Sequence, residues 1–150
     1  MTHACSLVAQ GLVAQFDALP DWESRYRRVI ELGQKLEPLE ASFKATDRFL
    51  IQGCVSKAWL VPSRRGSAVF FAADSEAAIV KGILALVVQV YSGASPAEIL
   101  SFEPSFLERI GLTEHLSMNR RNGLSQVLKQ IKLYATVFKA QDQLAPEGTP

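Results

Sequence analysis

The sequence predicts an α+β protein, a small three-stranded antiparallel sheet with helices packed on one face and around its edges. Three observations predict it. Short apolar runs at Phe49 to Ile51, Ala58 to Val61 and Ser67 to Ala73 follow one another with brief links, the order of an antiparallel meander. On either side of this block, Trp22 to Leu36 and Leu124 to Phe138 carry apolar residues at helical spacing. The stretch from Asp74 to Tyr91 is apolar nearly all round, as a helix buried against a sheet would be.

Taken in order, Ser6 to Phe16 places Leu7, Leu12, Val13 and Phe16 on a weak helical stripe. Asp21, between Pro20 and Trp22, is the expected N-cap of the next helix. Trp22, Tyr26, Val29, Ile30, Gly33 and Leu36 then form its apolar face, and Pro38 ends it. The first two strands are separated by a polar break at Gly53-Cys54, and Pro62 to Gly66 reads as the loop between the second and third. Asp74-Ser75-Glu76 is expected to cap the buried helix, with Gly82 allowing it close to the sheet. Ser95-Pro96 with Glu98 starts a short helix. Pro104 to Ile110 makes another, closed by Gly111. Leu124, Val127, Leu128, Ile131, Tyr134, Ala135 and Phe138 line the last helix. Lys129, Lys132 and Lys139 lie off its stripe, toward the end where the helix dipole favours cations. Residues 145–150 are expected to fray. No repeat or linker divides the chain, so residues 1–150 are read as one domain.

Composition narrows the function classes. The chain has 150 residues, 48% hydrophobic and 21% charged, enough for a core without covalent staples. A formal net charge of +1 gives no basis for a nucleic-acid or anionic-membrane partner. No apolar stretch approaches the roughly 18 residues of a membrane span. The segment from Met1 to Cys5 lacks a basic cluster followed by an apolar core, so the cytoplasm is the expected compartment and a Cys5–Cys54 disulfide is not expected. Two cysteines and two histidines, His3 and His115, without paired ligand spacing, do not make a metal site. No cofactor motif is present: there is no glycine-rich phosphate loop and no Gly-x-Ser-x-Gly elbow.

Cys54 is the principal candidate for chemistry. Gly53 permits a tight bend that lifts its neighbour out of a sheet plane, where a thiol is placed as a reactive group would be. The competing reading is a small apolar side chain filling a gap, since free cysteines are often buried and inert. An ordinary thiol is a few per cent ionised at neutral pH. A reactive Cys54 therefore needs a positive field, or a partner that brings the reactive sulfur, and nothing fixes the nearby Arg48 or Lys57 on its sulfur. His115, after a helix end, is a candidate base for a Cys–His pair, or a cap. Arg120-Arg121 opens the last helix against its dipole, which suits a carboxylate or anion partner, or a solvated pair. Ser56 and Asp74 are loop residues without a triad partner, and Cys5 is incidental in a mobile N-terminal segment.

The stretch Ile51-Gln-Gly-Cys-Val-Ser-Lys-Ala-Trp59 resembles the cysteine motif of the SufE/CsdE family of sulfur acceptors. The resemblance extends through Arg25-Tyr26, Ile30-Glu-Leu-Gly-Gln-Lys-Leu36, Asp74-Ser-Glu-Ala-Ala-Ile-Val-Lys-Gly-Ile83 and Pro96-Ala-Glu-Ile-Leu100. It closes with Leu112-Thr-Glu-His-Leu-Ser-Met-Asn-Arg-Arg-Asn-Gly-Leu124, so that the blocks, in family order, span about Trp22 to Lys132. Two positions depart. Val55 stands where the family usually has a polar residue, and Met118-Asn119 replaces a proline-containing turn before Arg120. The resemblance implies a SufE-like fold and a sulfur carrier. Its cysteine, here Cys54, takes persulfide sulfur from a PLP-dependent cysteine desulfurase, raises that enzyme's turnover and relays the sulfur to an Fe–S assembly scaffold. Arg120, Asp74 and His115 are the expected docking residues. The other readings are a stand-alone thiol enzyme using Cys54 with His115, and an adaptor that keeps Cys54 only for packing.

Overall fold

The computed structural model describes residues 4–144. Helix α1 (Ala4–Asp17) buries Cys5, Ala9, Leu12, Val13 and Phe16, a stripe at steps of three and four residues. Cys5 is thus a core residue with no exposed surface, and the expectation of an incidental cysteine in a mobile segment is corrected. Its sulfur falls on the stripe and packs as a small hydrophobe. Leu7, counted in the sequence stripe, lies off it and is exposed.

Helix α2 (Trp22–Gln34) is capped as expected: the Asp21 carboxylate accepts the Ser24 N–H at 2.8 Å. It crosses the apolar helix α3 (Ala78–Tyr91) backbone against backbone. A Cβ on Gly33 would lie 2.6 Å from the Gly82 nitrogen, and one on Gly82 would lie 2.6 Å from Val29 Cγ1. Gly82 therefore allows a close helix–helix crossing; the expected close approach to the sheet is not what it serves.

The sheet has two strands rather than three. β1 (Ala58–Arg65) pairs antiparallel with β2 (Ala68–Ser75), Ala58 opposite Ser75 and Arg65 opposite Ala68. Their link is the two residues Gly66-Ser67, with Gly66 at φ 60°, so most of the expected Pro62–Gly66 loop is strand. The run from Phe49 to Ile51 makes only one bridge, Leu50 to Trp59, with bonds from Ile51 N to Ala58 O (2.8 Å) and Leu60 N to Phe49 O (3.0 Å). Two features stop it. A turn closed by Leu50 N on Asp47 O precedes it, and Gly53 bends the chain just after it. Further along β1, Pro62 sends its nitrogen to the same edge as Leu60 but has no N–H to offer a longer partner.

α3 covers β2 and meets α1 and α2. Its N-cap is Ala77, without a side-chain bond, so Asp74-Ser75-Glu76 is not the expected cap: Asp74 and Ser75 end β2. Short helices follow: α4 (Pro96–Ser101), capped by Ser95, α5 (Phe106–Ile110), closed by Gly111 at φ 98°, and α6 (Leu112–His115). The last helix, α7 (Met118–Leu144), is 27 residues long, about 40 Å. It buries Gly123, Leu124, Val127, Ile131 and Ala135. Lys132 does not serve its end. Its ammonium donates to the carbonyls of Ile99, Leu100 (3.2 Å) and Phe102 (2.9 Å), satisfying the open end of α4. The expected fraying of residues 145–150 lies outside the described residues.

Candidate functional site

The chain from Ile51 to Ala58 forms an arch held at both feet. At one foot, Ile51 N–H donates to Ala58 O. At the other, the Lys57 carbonyl accepts the Glu76 N–H at 3.0 Å and the Ser75 hydroxyl at 2.9 Å, and that hydroxyl accepts the Ala77 N–H at 3.2 Å. Ser75 thereby joins the arch to the start of α3. Between the feet, Gln52-Gly53 form a turn, and residues 52–56 make no short backbone–backbone hydrogen bond among the described residues. Gly53 at φ 85° supplies the bend, a conformation other residues adopt only at a cost.

Cys54 stands on this arch, half-buried. Its sulfur rests on α7, 4.0 Å from the Gly123 carbonyl oxygen. It faces a cavity of about 180 Å³. Val80, Ile83 and Leu84 of α3 with Leu124 and Val127 of α7 line the cavity with hydrocarbon, and Val55, Ser56, Ser117, Asn119 and Arg120 contribute the other walls. Burial pushes the thiol above its ordinary value, since an apolar setting disfavours the thiolate. Val55 beside it is 78% exposed. The site is a sheltered thiol with little backbone bonding to resist movement, and no side chain of the arch bonds the sulfur.

The expected companions of Cys54 are distributed unevenly. Arg120 lines the same cavity and makes no ion pair among the described residues. Asp74, opposite Trp59 in the hairpin, is 14% exposed and committed internally to Lys44, Lys81 (3.4 Å) and the Ser75 N–H (2.8 Å). Burial alone would raise its carboxyl; the Lys44 and Ser75 hydrogen bonds and both lysine charges outweigh it and hold the group below the usual range. His115 lies elsewhere. Its ring stacks on Trp22 at 4.4 Å and its Nδ1 is 2.9 Å from Gly111 O, in a depression shared with Asp21, Arg25 and Glu114. That depression and the Cys54 cavity have no lining residue in common. Sequence reasoning missed Gly123, whose one signal was a glycine where α7 needs no turn. It also missed Ser75 and the α3 wall.

Fold and site define a class: an α+β fold presenting a sheltered thiol over an apolar cavity. Residues 10–135 match the family model described as SufE, Fe-S metabolism associated domain, and the chain belongs to the SufE family. An uncharacterized SufE-like protein of Rhizobium etli is 40% identical over 134 residues, covering 86% of this chain and 90% of the relative. One from Rhizobium meliloti is 39% identical over 81% of this chain and 89% of its own length. A third, from Synechocystis, is 33% identical over 85% of this chain and 80% of its own. The solution structure of a hypothetical protein from Thermus thermophilus superposes with a TM-score of 0.72 at 21% identity, covering 91% of this chain and 97% of that one. It shows the same fold. The family links the chain to Fe–S metabolism. Among the described residues, no helix is long and apolar enough to cross a membrane.

Proposed function

We propose that the protein is a sulfur acceptor that takes persulfide sulfur from a PLP-dependent cysteine desulfurase onto Cys54, raises that enzyme's turnover in the cytoplasm and relays the sulfur to an Fe–S assembly scaffold. The observation that carries this reading is the half-buried Cys54 sulfur on a weakly bonded arch over an apolar cavity, in a chain of the SufE family. In the transfer, the Cys54 thiolate attacks the outer sulfur of the partner's persulfide. The partner's S–S bond breaks, its cysteine leaves as thiolate, and Cys54 becomes the persulfide, with no net oxidation. The cavity gives the outer sulfur an apolar refuge from water and reductants. A second thiol takes the sulfur from Cys54 by the same exchange.

A desolvated thiol without a resident base is a poor nucleophile alone. In this reading the arch swings out to the partner, which supplies the ionising environment. Few bonds oppose the swing, because the arch is anchored at its feet. Arg120, at the cavity wall with an uncommitted guanidinium, is the docking cation. Asp74 acts by holding Lys44 and Lys81, and His115 with Trp22 offers a second, separate contact. The stand-alone thiol enzyme needs His115 at Cys54, and the two line different depressions.

The test mixes the protein with a cysteine desulfurase and L-cysteine and reads intact mass. A gain of one sulfur, lost in Cys54→Ser together with the rise in turnover, is expected. Arg120→Ala should raise the acceptor concentration needed for half-maximal activation while the fold stays intact. No sulfur on Cys54, or full activation by Cys54→Ser, would overturn the proposal.

A further inference from the structure

Where the Cys54 sulfur meets α7, the helix has no side chain. Gly123 is buried in the helix interior, with neither a turn nor a positive φ to require glycine. Glycine there costs helix stability, about 1 kcal/mol relative to alanine. The space a Cβ would take is filled by one atom: Cys54 Sγ, 3.3 Å from the position that Cβ would occupy. A carbon and a sulfur at that separation are closer than ordinary van der Waals contact, so one must yield. The helix is anchored by its buried Leu124 and Val127, whereas the sulfur rides on an arch without short backbone–backbone hydrogen bonds at residues 52–56.

We propose that Gly123 is a positioning residue for the carrier thiol: its missing side chain makes the seat that keeps the Cys54 sulfur inside the cavity, and any side chain there holds the arch outward. Gly53 contributes on the other side of the same contact. A Cβ on it would come 3.1 Å from Gln126 Cγ of α7, so glycines on both surfaces let arch and helix approach. The seat also sets the carrier's resting state. With the sulfur seated, solvent reagents reach it slowly and it ionises reluctantly, and release requires only that the sulfur leave Gly123. Seating is a property of the free thiol. That it protects a persulfide rests on the carrier function proposed above.

The experiment therefore uses the free protein and no desulfurase. Alkylation of Cys54 by iodoacetamide is followed by intact mass in the wild type, Gly123→Ala and Gly11→Ala. Gly11 lies on α1 with open space around its added Cβ, so that variant adds the same methyl away from the sulfur. Gly123→Ala is expected to alkylate roughly threefold faster or more, as access and thiolate fraction both rise, with Gly11→Ala at the wild-type rate. The pH profile of the reaction should shift to lower pH in Gly123→Ala alone. An unchanged or slower rate in folded Gly123→Ala overturns the proposal. If Gly123→Ala does not fold, the pair Gly123→Ala with Cys54→Ala must fold, because the contact is removed from the other side; a pair that stays unfolded also overturns it. Loss of sulfur transfer with a normal seat would count against the carrier function and leave the seat standing.

Discussion

Replacing Gly82 by alanine tests the crossing on which the cavity's α3 wall depends. The new Cβ would lie 2.6 Å from Val29 Cγ1 and 2.7 Å from the Val29 carbonyl carbon, against ordinary contacts of about 3.5–4.0 Å. The neighbours include backbone, so no rotamer change relieves the clash; α2 and α3 must separate by about 1 Å. Gly33 faces Gly82 across the same contact, so separation opens the gap that both glycines close. Overpacking of this kind costs about 1–3 kcal/mol, and backbone displacement puts this site at or above the upper end. Alanine returns about 1 kcal/mol of helix propensity. The net loss is about 2 kcal/mol or more, which lowers the melting temperature by on the order of 5 °C or more for a chain of this size. Thermal denaturation followed by circular dichroism reads it, with Gly11→Ala as the control that gains propensity without contact. A melting temperature for Gly82→Ala at or above wild type would refute the reasoning.

Three further outcomes are expected. Iodoacetamide should modify native protein once, at Cys54, and denatured protein twice. Cys5 is fully buried and its thiol is pushed up to about 11 by burial, with Glu98 adding to the effect, so a second adduct on native protein would contradict its place in the core. Asp74→Asn should lower stability by about 1–2 kcal/mol at neutral pH through loss of the Lys44 and Lys81 pairs. Because the folded carboxyl titrates below its unfolded value, that contribution is complete above the unfolded value and disappears as pH falls through the folded one. Denaturant melts of both proteins should therefore converge in acid, and a gap independent of pH would exclude the ion pairs as its source. Lys132→Met should cost about 2 kcal/mol, since three carbonyls at the end of α4 lose their donor. An unchanged chemical-denaturation midpoint would show that water replaces the ammonium freely.

Much of the molecule is legible in local sequence pattern alone. The Asp21 cap and the stripe from Trp22 to Leu36 belong to one turn of chain or its neighbours, so spacing and side-chain chemistry suffice to read them, except that Tyr26, expected on the apolar face, is exposed. The Gly53 bend, β2 and the first half of β1 were legible for the same reason, whereas Pro62 to Arg65 reads as loop and is strand. The third strand was not. Its three residues have strand composition, but whether they pair depends on Pro62 eleven positions beyond Ile51 and on turns at both ends.

By itself, the sequence determined an α+β chain with Cys54 on a bend, and its ordered motifs determined the family. Tertiary structure alone decided what each of those residues meets. It put Cys5 in the core, turned Gly82 toward Val29, bound Asp74 to two lysines and separated His115 from the thiol. It also brought Gly123, 69 residues further along the chain, beneath the Cys54 sulfur. The physical reason is range. Helix and turn preferences act over a few residues, whereas a thiol's shelter and ionisation are set by whatever distant segments pack around it.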